Sequence, residues 1–142
     1  MTDFFRTSIP IEASPEMVFD HFIDPERLVR WMGDFARLEA KAKGLFHVDI
    51  NGVLIRGHYI AVERPTVIEI AWGEAGNDEM PPGTTTVRIE LMAAPSGTLL
   101  TLEHRGLMGG EQAKHAMGWP YFLDRLQVLA GGNDPGADRF AK

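Results

Sequence analysis

The residues best suited to chemistry in this chain are two histidines, His104 and His115, which both fall in apolar patterns. His104 ends an alternating run after Leu100 and Leu102, and His115 lies four residues before Trp119 on a helical stripe. We therefore expect both imidazoles to face the interior at one end of the fold. There an imidazole could act as a general base or orient a polar ligand group. The alternative is a structural histidine held by a backbone carbonyl.

Patterns that would indicate an assembled catalytic or metal site are missing. His58, His104 and His115 have neither the H-E-x-x-H nor the H-x-H spacing of metal ligands. The chain has no cysteine, which excludes thiolate ligands and cysteine nucleophiles. No G-x-S-x-G turn is present, and the glycines from Gly106 to Gly110 lack the Lys-Ser/Thr of a phosphate loop. We expect no catalytic set, no cofactor and no metal.

The length and the net charge of the chain limit the kinds of protein that it can be. A chain of 142 residues is expected to form one domain, 1–142, with a single core. The net charge of −6, without a cluster of Lys or Arg, argues against a nucleic-acid partner. The segment from Met1 to Asp20 lacks the apolar run of a signal peptide, and no stretch reaches the ~18 apolar residues of a membrane span. We expect a cytoplasmic protein.

The first quarter of the chain predicts one strand and two short helices. Phe5 to Ile11 mostly alternates between apolar and polar residues, as a half-buried strand does. Ser14-Pro15 and Asp24-Pro25 each place a capping residue before a proline, which is typical of a helix start. The second helix is expected over Pro25 to Arg30.

The rest of the chain predicts a meander of strands and one long helix. Asn51-Gly52 favours a type I′ hairpin, and the region from Gly73 to Gly83 is too rich in Gly and Pro for regular structure. A helix is expected from about Gly110 to Ala130, bent near Trp119 by Pro120, followed by a loose tail over 133–142. The predicted strands are Phe35 to Lys41, Phe46 to Ile50, Leu54 to Glu63, Val67 to Trp72, Val87 to Leu91 and Leu100 to His104.

This element order predicts an α+β fold. Strands joined by short turns form an antiparallel sheet, here of six or seven strands, and its apolar face needs a cover. The C-terminal helix is the element long enough to provide one. Curvature of the sheet and the bend of the helix would leave a cavity between them.

The order and spacing of these motifs resemble the START/SRPBCC superfamily, which has the helix-grip fold and includes polyketide cyclases. The nearer resemblance is to the C-terminal domain of the activator of Hsp90 ATPase. The residues that carry it are Pro15, Val18-Phe19, Asp24-Pro25-Glu26, Leu28, Arg30-Trp31, Gly57-His58-Tyr59, Pro65, Thr98, Leu100, Leu102, His104, His115, Gly118-Trp119, Leu123 and Leu126.

The leading hypothesis is a module that binds a small hydrophobic or aromatic molecule between the sheet and the last helix. The predicted ligand-binding residues are Phe46, His58, Trp72, His104, His115, Trp119 and Phe122. His58 is included because it shares a period-two face with Ile60 and Val62. The aromatic residues could equally be core. A polyketide-cyclase-like enzyme with a histidine acid–base group and a co-chaperone that binds a protein partner remain alternatives, and a homodimer is an open expectation.

Overall fold

A computed structural model describes residues 4–140 of the chain. Its elements are β1 (Phe4–Ile11), α1 (Pro15–Ile23), α2 (Pro25–Leu28), β2 (Phe35–Leu38), β3 (Leu45–Ile50), β4 (Val53–Glu63), β5 (Val67–Trp72), β6 (Thr85–Ala94), β7 (Gly97–Arg105) and α3 (Gly110–Ala130). The predicted element order is confirmed. The bounds of α3 and β5 agree with the sequence pattern, whereas α2 and β2 end earlier than predicted.

The seven strands form one antiparallel sheet in the order β1-β7-β6-β5-β4-β3-β2. Consecutive strands from β2 to β7 are therefore neighbours, and β1 closes the far edge by pairing with β7. Positive φ angles at Asn51 and Gly52, 51° and 92°, mark the predicted turn between β3 and β4. The result is the curved sheet of the helix-grip fold.

The two short helices close one end of the sheet. The Ser14 hydroxyl accepts a hydrogen bond from the Met17 amide, and the Asp24 carboxylate accepts one from the Glu26 amide, so both predicted caps are present. Behind them Trp31 is fully buried and donates its indole N–H to the carbonyl of His21 at 3.1 Å. These contacts fix the chain that leads into β2.

Helix α3 covers the inner face of the sheet. It packs against β1 and α1, and its stripe of Trp119, Leu123, Leu126 and Ala130 is buried. The backbone stays helical through Pro120. Within residues 4–140, no helix combines the length and apolar character that a membrane crossing requires.

The predicted inward position of His58 is wrong. A β-bulge interrupts the pairing of β4 with β5 between Tyr59 and Ala61, so the alternation changes phase there. Val62 packs against the core, but Tyr59 is the buried residue before the bulge, and His58 and Ile60 are exposed. Counting back from Val62 by twos therefore assigned His58 to the wrong face.

The predicted loose tail is also wrong as far as the structure describes it. Residues 131–140 form no helix or strand, but the Asp138 carboxylate accepts hydrogen bonds from Asn51 and Tyr121. Arg125 of α3 donates to the carbonyls of Pro135 and Gly136. The segment therefore ties the β3–β4 turn to α3. The last two predicted tail residues, and the first three residues of the chain, lie outside the described part.

Candidate ligand cavity

A cavity of about 250 Å³ lies between the N-terminal half of α3 and strands β3 to β5. Apolar and aromatic side chains form most of its wall, and Val53, which is 38% exposed, lies at its rim. The lining residues are Met32, Ile50, Val53, Ile55, Trp72, Glu74, Met80, Glu111, Lys114, His115, Gly118, Trp119 and Phe122. A concave, mostly apolar space with a few polar groups is the usual form of a small-molecule site.

Two tryptophans form the aromatic wall of the cavity. Trp72 comes from the end of β5 and Trp119 from the middle of α3, and their ring centroids are 5.2 Å apart. Phe46 of β3 lies behind them, with its ring 5.8 Å from that of Trp72. Sheet and helix thus meet through aromatic contacts at this end of the fold. Gly118, which has no side chain, leaves space beside Trp119.

His104 is fully buried and all of its polar atoms are used. Trp119 donates its indole N–H to His104 Nδ1 at 3.0 Å, so that nitrogen must be the acceptor. The proton therefore lies on Nε2, which is 2.7 Å from the Thr85 hydroxyl, and Thr85 in turn donates to the carbonyl of Trp72. The donor and acceptor roles fix one neutral tautomer of His104.

His115, which lies one turn before Trp119 on α3, also accepts a hydrogen bond from an indole N–H. Trp72 donates its indole N–H to His115 Nε2 at 3.3 Å, and His115 Nδ1 is 2.8 Å from the carbonyl of Glu111. The proton lies on Nδ1, because only a donor satisfies that carbonyl. The two imidazoles are packed nearly perpendicular, with ring centroids 4.7 Å apart.

Both histidines are held neutral by their surroundings. Burial, followed by the neighbouring His115, lowers the pKa of His104 from its ordinary value to about 2. Burial also lowers the pKa of His115, against the opposing effect of the Glu111 carbonyl and carboxylate. The lone pair of each ring already accepts a hydrogen bond from an indole N–H, so neither ring offers a free basic nitrogen to the cavity.

The polar end of the cavity consists of Glu74, Glu111, Lys114 and His115. The Asn77 amide donates to Glu74 Oε1 and to Glu111 Oε2, each at 3.0 Å, and thereby links the β5–β6 loop to α3. Lys114 Nζ also donates to Glu111 Oε2, at 3.2 Å. Burial alone would raise the pKa of Glu111, but the hydrogen bonds from Asn77 and Lys114 outweigh it and lower the pKa.

The structure brings together most of the predicted site residues. Trp72, His115, Trp119 and Phe122 line the cavity. Phe46 and His104 are buried directly behind the lining, in contact with Trp72. The remaining predicted residue, His58, faces outward as described above and lies apart from this group.

Sequence reasoning missed the acidic part of the polar end. Glu111 carried a usable signal, because it precedes His115 by four residues and therefore shares its helix face. Glu74 and Asn77 lie in a loop whose Gly and Pro residues break any periodic pattern, so the sequence held no signal for them. Among residues 4–140, no three His, Asp or Glu side chains converge as metal ligands would.

The same architecture occurs in solved structures of other proteins. An AHSA1-like protein from Rhizobium etli is 35% identical, with a TM-score of 0.78, and the match covers 100% of this chain and 90% of that one. An HSP90 activator from Plasmodium falciparum is 23% identical, with a TM-score of 0.74, over 90% of this chain and 96% of that one. The Aha1 dimer from Colwellia psychrerythraea is 19% identical, with a TM-score of 0.77, over 92% and 98%. The last two likenesses show the helix-grip fold alone. The match to the AHSA1-like protein supports a domain of the START/SRPBCC superfamily.

The family follows from the sequence match. The model of the Activator of Hsp90 ATPase homolog 1-like protein family matches residues 12–131. The chain therefore belongs to this family, as the resemblance in its motifs predicted. Comparison with the curated proteins finds no match.

Proposed function

We propose that this chain binds a small, largely apolar or aromatic molecule in the cavity between α3 and the sheet. The observation that carries the proposal is the cavity of about 250 Å³, lined by Trp72, Trp119 and Phe122 beside aliphatic and thioether side chains. Removing apolar ligand surface from water would supply the affinity, at roughly 25 cal/mol per Å². The polar end would fix the orientation of the ligand.

A cyclase-like enzyme with a histidine acid–base group has less support. The lone pairs of His104 and His115 accept hydrogen bonds from Trp119 and Trp72, at 3.0 and 3.3 Å. Either histidine could abstract a proton only after its indole partner moved away. Binding requires no such rearrangement, so it is the function that the geometry favours.

We treat residues 4–140 as one binding domain. β1 pairs along its whole length with β7, and Arg125 of α3 donates to the carbonyls of Trp31 and Arg30. The N-terminal and C-terminal parts of the described chain therefore share one core. Partner binding of the Hsp90-activator kind, which the family name suggests, would be the role to examine if the cavity took no ligand.

The test uses two neighbouring residues of β4 that face opposite ways. Val53 lines the cavity, whereas Leu54 does not, and each is 38% exposed. Val53→Trp should place an indole in the mouth of the cavity and weaken ligand binding at least about tenfold, or about 1.4 kcal/mol. Leu54→Trp is the matched control and should retain binding.

Binding is measured by isothermal titration with naphthylethanol, after native mass spectrometry of the purified protein for a co-purified compound. Thermal melting of both variants checks that they fold. Equal loss of affinity in both variants would contradict the location of the site. Absence of a co-purified compound, together with no binding of naphthylethanol or of a panel of aromatic and fatty molecules, would refute the proposed function.

A further inference from the structure

We propose that the ligand carries a hydrogen-bond-donating cationic group, a protonated amine, which binds at the Glu111 and Glu74 carboxylates while its apolar or aromatic body lies against Trp72 and Trp119. This inference rests on the proposed function and specifies the chemical class of the ligand.

The first support is an unused oxygen of a buried carboxylate. The side chain of Glu111 is only 4% exposed. Its Oε2 accepts hydrogen bonds from Asn77 and Lys114. Its Oε1 accepts none from the residues that the structure describes. His115 Nδ1 lies 3.7 Å from Oε1 but donates to the Glu111 carbonyl instead. Oε1 is therefore free to accept a hydrogen bond from a ligand donor.

This oxygen is not fully enclosed by the protein. Among the described residues, every fully buried side-chain nitrogen or oxygen has a hydrogen-bond partner. Oε1 of Glu111 therefore keeps some contact with open space, and Glu111 is one of the residues that line the cavity. A ligand that fills the apolar part would lie beside the Glu111 carboxylate.

The balance of charge selects a cation over an anion. Glu74 and Glu111 share the Asn77 amide nitrogen, at 3.0 Å from each, which holds two carboxylates close together. Among residues 4–140 the one lysine that lines the cavity is Lys114, which is 73% exposed and already paired with Glu111. The positive end of the α3 dipole is matched by Glu111 itself, in the first turn. A carboxylate ligand would meet net negative charge here, whereas an ammonium would make charge-assisted hydrogen bonds.

Three probes with one naphthyl body test this inference: naphthylethylamine, naphthylethanol and naphthylacetate. Titration calorimetry at neutral pH should give the order amine, alcohol, acid, from tight to weak. A charge-assisted bond in a buried site should make the amine at least about tenfold tighter than the alcohol. An amine that binds no better than the alcohol, or an acid that binds best, would overturn the inference while the proposed function stands. If none of the three probes binds, the inference is overturned, and the proposed function is then decided by the co-purified compound and the wider panel of aromatic and fatty molecules.

Charge-neutral variants locate the effect. Glu111→Gln keeps an acceptor for Asn77 and should reduce the ratio of alcohol to amine dissociation constants at least about fivefold. Glu90→Gln removes the same charge from an exposed site on β6 and should leave that ratio as in the unchanged protein. Glu74→Gln provides a second variant if Glu111→Gln melts too low to be titrated. If Glu111→Gln, or Glu74→Gln where it replaces that variant, leaves the ratio unchanged, the proposal that the amine binds at these carboxylates is refuted.

Discussion

Acidification should weaken this fold measurably through the buried imidazole of His104. Its ring is fully buried, and burial together with the neighbouring His115 lowers its pKa to about 2. In the unfolded chain the same imidazole titrates at about 6.5. Between these two values the unfolded state binds a proton that the folded state does not, so stability rises with pH. The contribution of His104 is complete above pH of about 6.5 and is lost as the pH falls towards about 2.

The size of the effect follows from the two pKa values. At pH of about 5 the pKa of the imidazole in the unfolded chain is about 1.5 units above the solution pH, and each unit is worth about 1.4 kcal/mol. The unfolding free energy should therefore fall by about 2 kcal/mol between pH of about 7.5 and pH of about 5 because of His104. The pH range from about 5 to about 7.5 lies above the range in which most carboxylates titrate. A loss of this size is a substantial share of the stability of a typical domain.

The assay is urea unfolding at these two pH values, about 5 and about 7.5, for the unchanged protein and for His104→Gln. Glutamine can still accept from Trp119 and donate to Thr85 but does not titrate, so the variant should lose about 2 kcal/mol less on acidification. Thr85→Val is the matched control, because it removes the partner of His104 Nε2 but keeps the imidazole. It should be less stable overall and retain the pH dependence.

The reasoning would be refuted if His104→Gln followed the same pH dependence as the unchanged protein. A ring proton signal of His104 that titrates above pH of about 5 by NMR would refute it independently.

Four substitutions at three positions test the packing around the cavity and in the neighbouring sheet by chemical denaturation. Trp119→Ala should lower the free energy of unfolding by about 3–5 kcal/mol if the indole is core. Trp119→Phe should lower it by about 1–3 kcal/mol, because His104 Nδ1 then loses its hydrogen-bond donor. Losses within about 0.5 kcal/mol would place Trp119 at the surface. Gly118→Ala meets no atom within 4 Å and should stabilise α3 by up to about 1 kcal/mol, yet weaken ligand binding by narrowing the cavity. Gly57→Ala would put a methyl group 1.8 Å from the carbonyl oxygen of Ala71, so a loss of at least about 1–3 kcal/mol is expected, and an unchanged melting temperature would contradict that packing.

The sequence pattern was sufficient for α3 and for the strands with clear alternation. The apolar spacing of His115, Trp119, Leu126 and their neighbours predicted a helix from Gly110 to Ala130, and the structure has these bounds. Ile68, Ile70 and Trp72 recur at every second position of the predicted strand Val67 to Trp72, which is β5, and all three are buried. In these segments the local period and the tertiary burial agree, so local chemistry is enough.

The pattern failed where the backbone leaves its regular period. The bulge after Tyr59 moved His58 to the outer face, and a bulge depends on how two strands pair rather than on the residue types of one. The sequence after α3 predicts a loose tail, yet the Asp138 carboxylate accepts hydrogen bonds from Asn51 and Tyr121. Such contacts join residues far apart in the chain, which no local pattern records.

The sequence by itself determined the family, the element order and the inward faces on which Trp72, His115 and Trp119 lie, since motif spacing and burial periodicity are local properties of the chain. Tertiary structure alone decided the chemistry of the site. Indole N–H groups occupy the lone pairs of His104 and His115, and a loop amide joins Glu74 to Glu111. Hydrogen bonds of this kind depend on distances of about 3 Å between atoms of different elements, and those distances exist only once the helix has packed on the sheet.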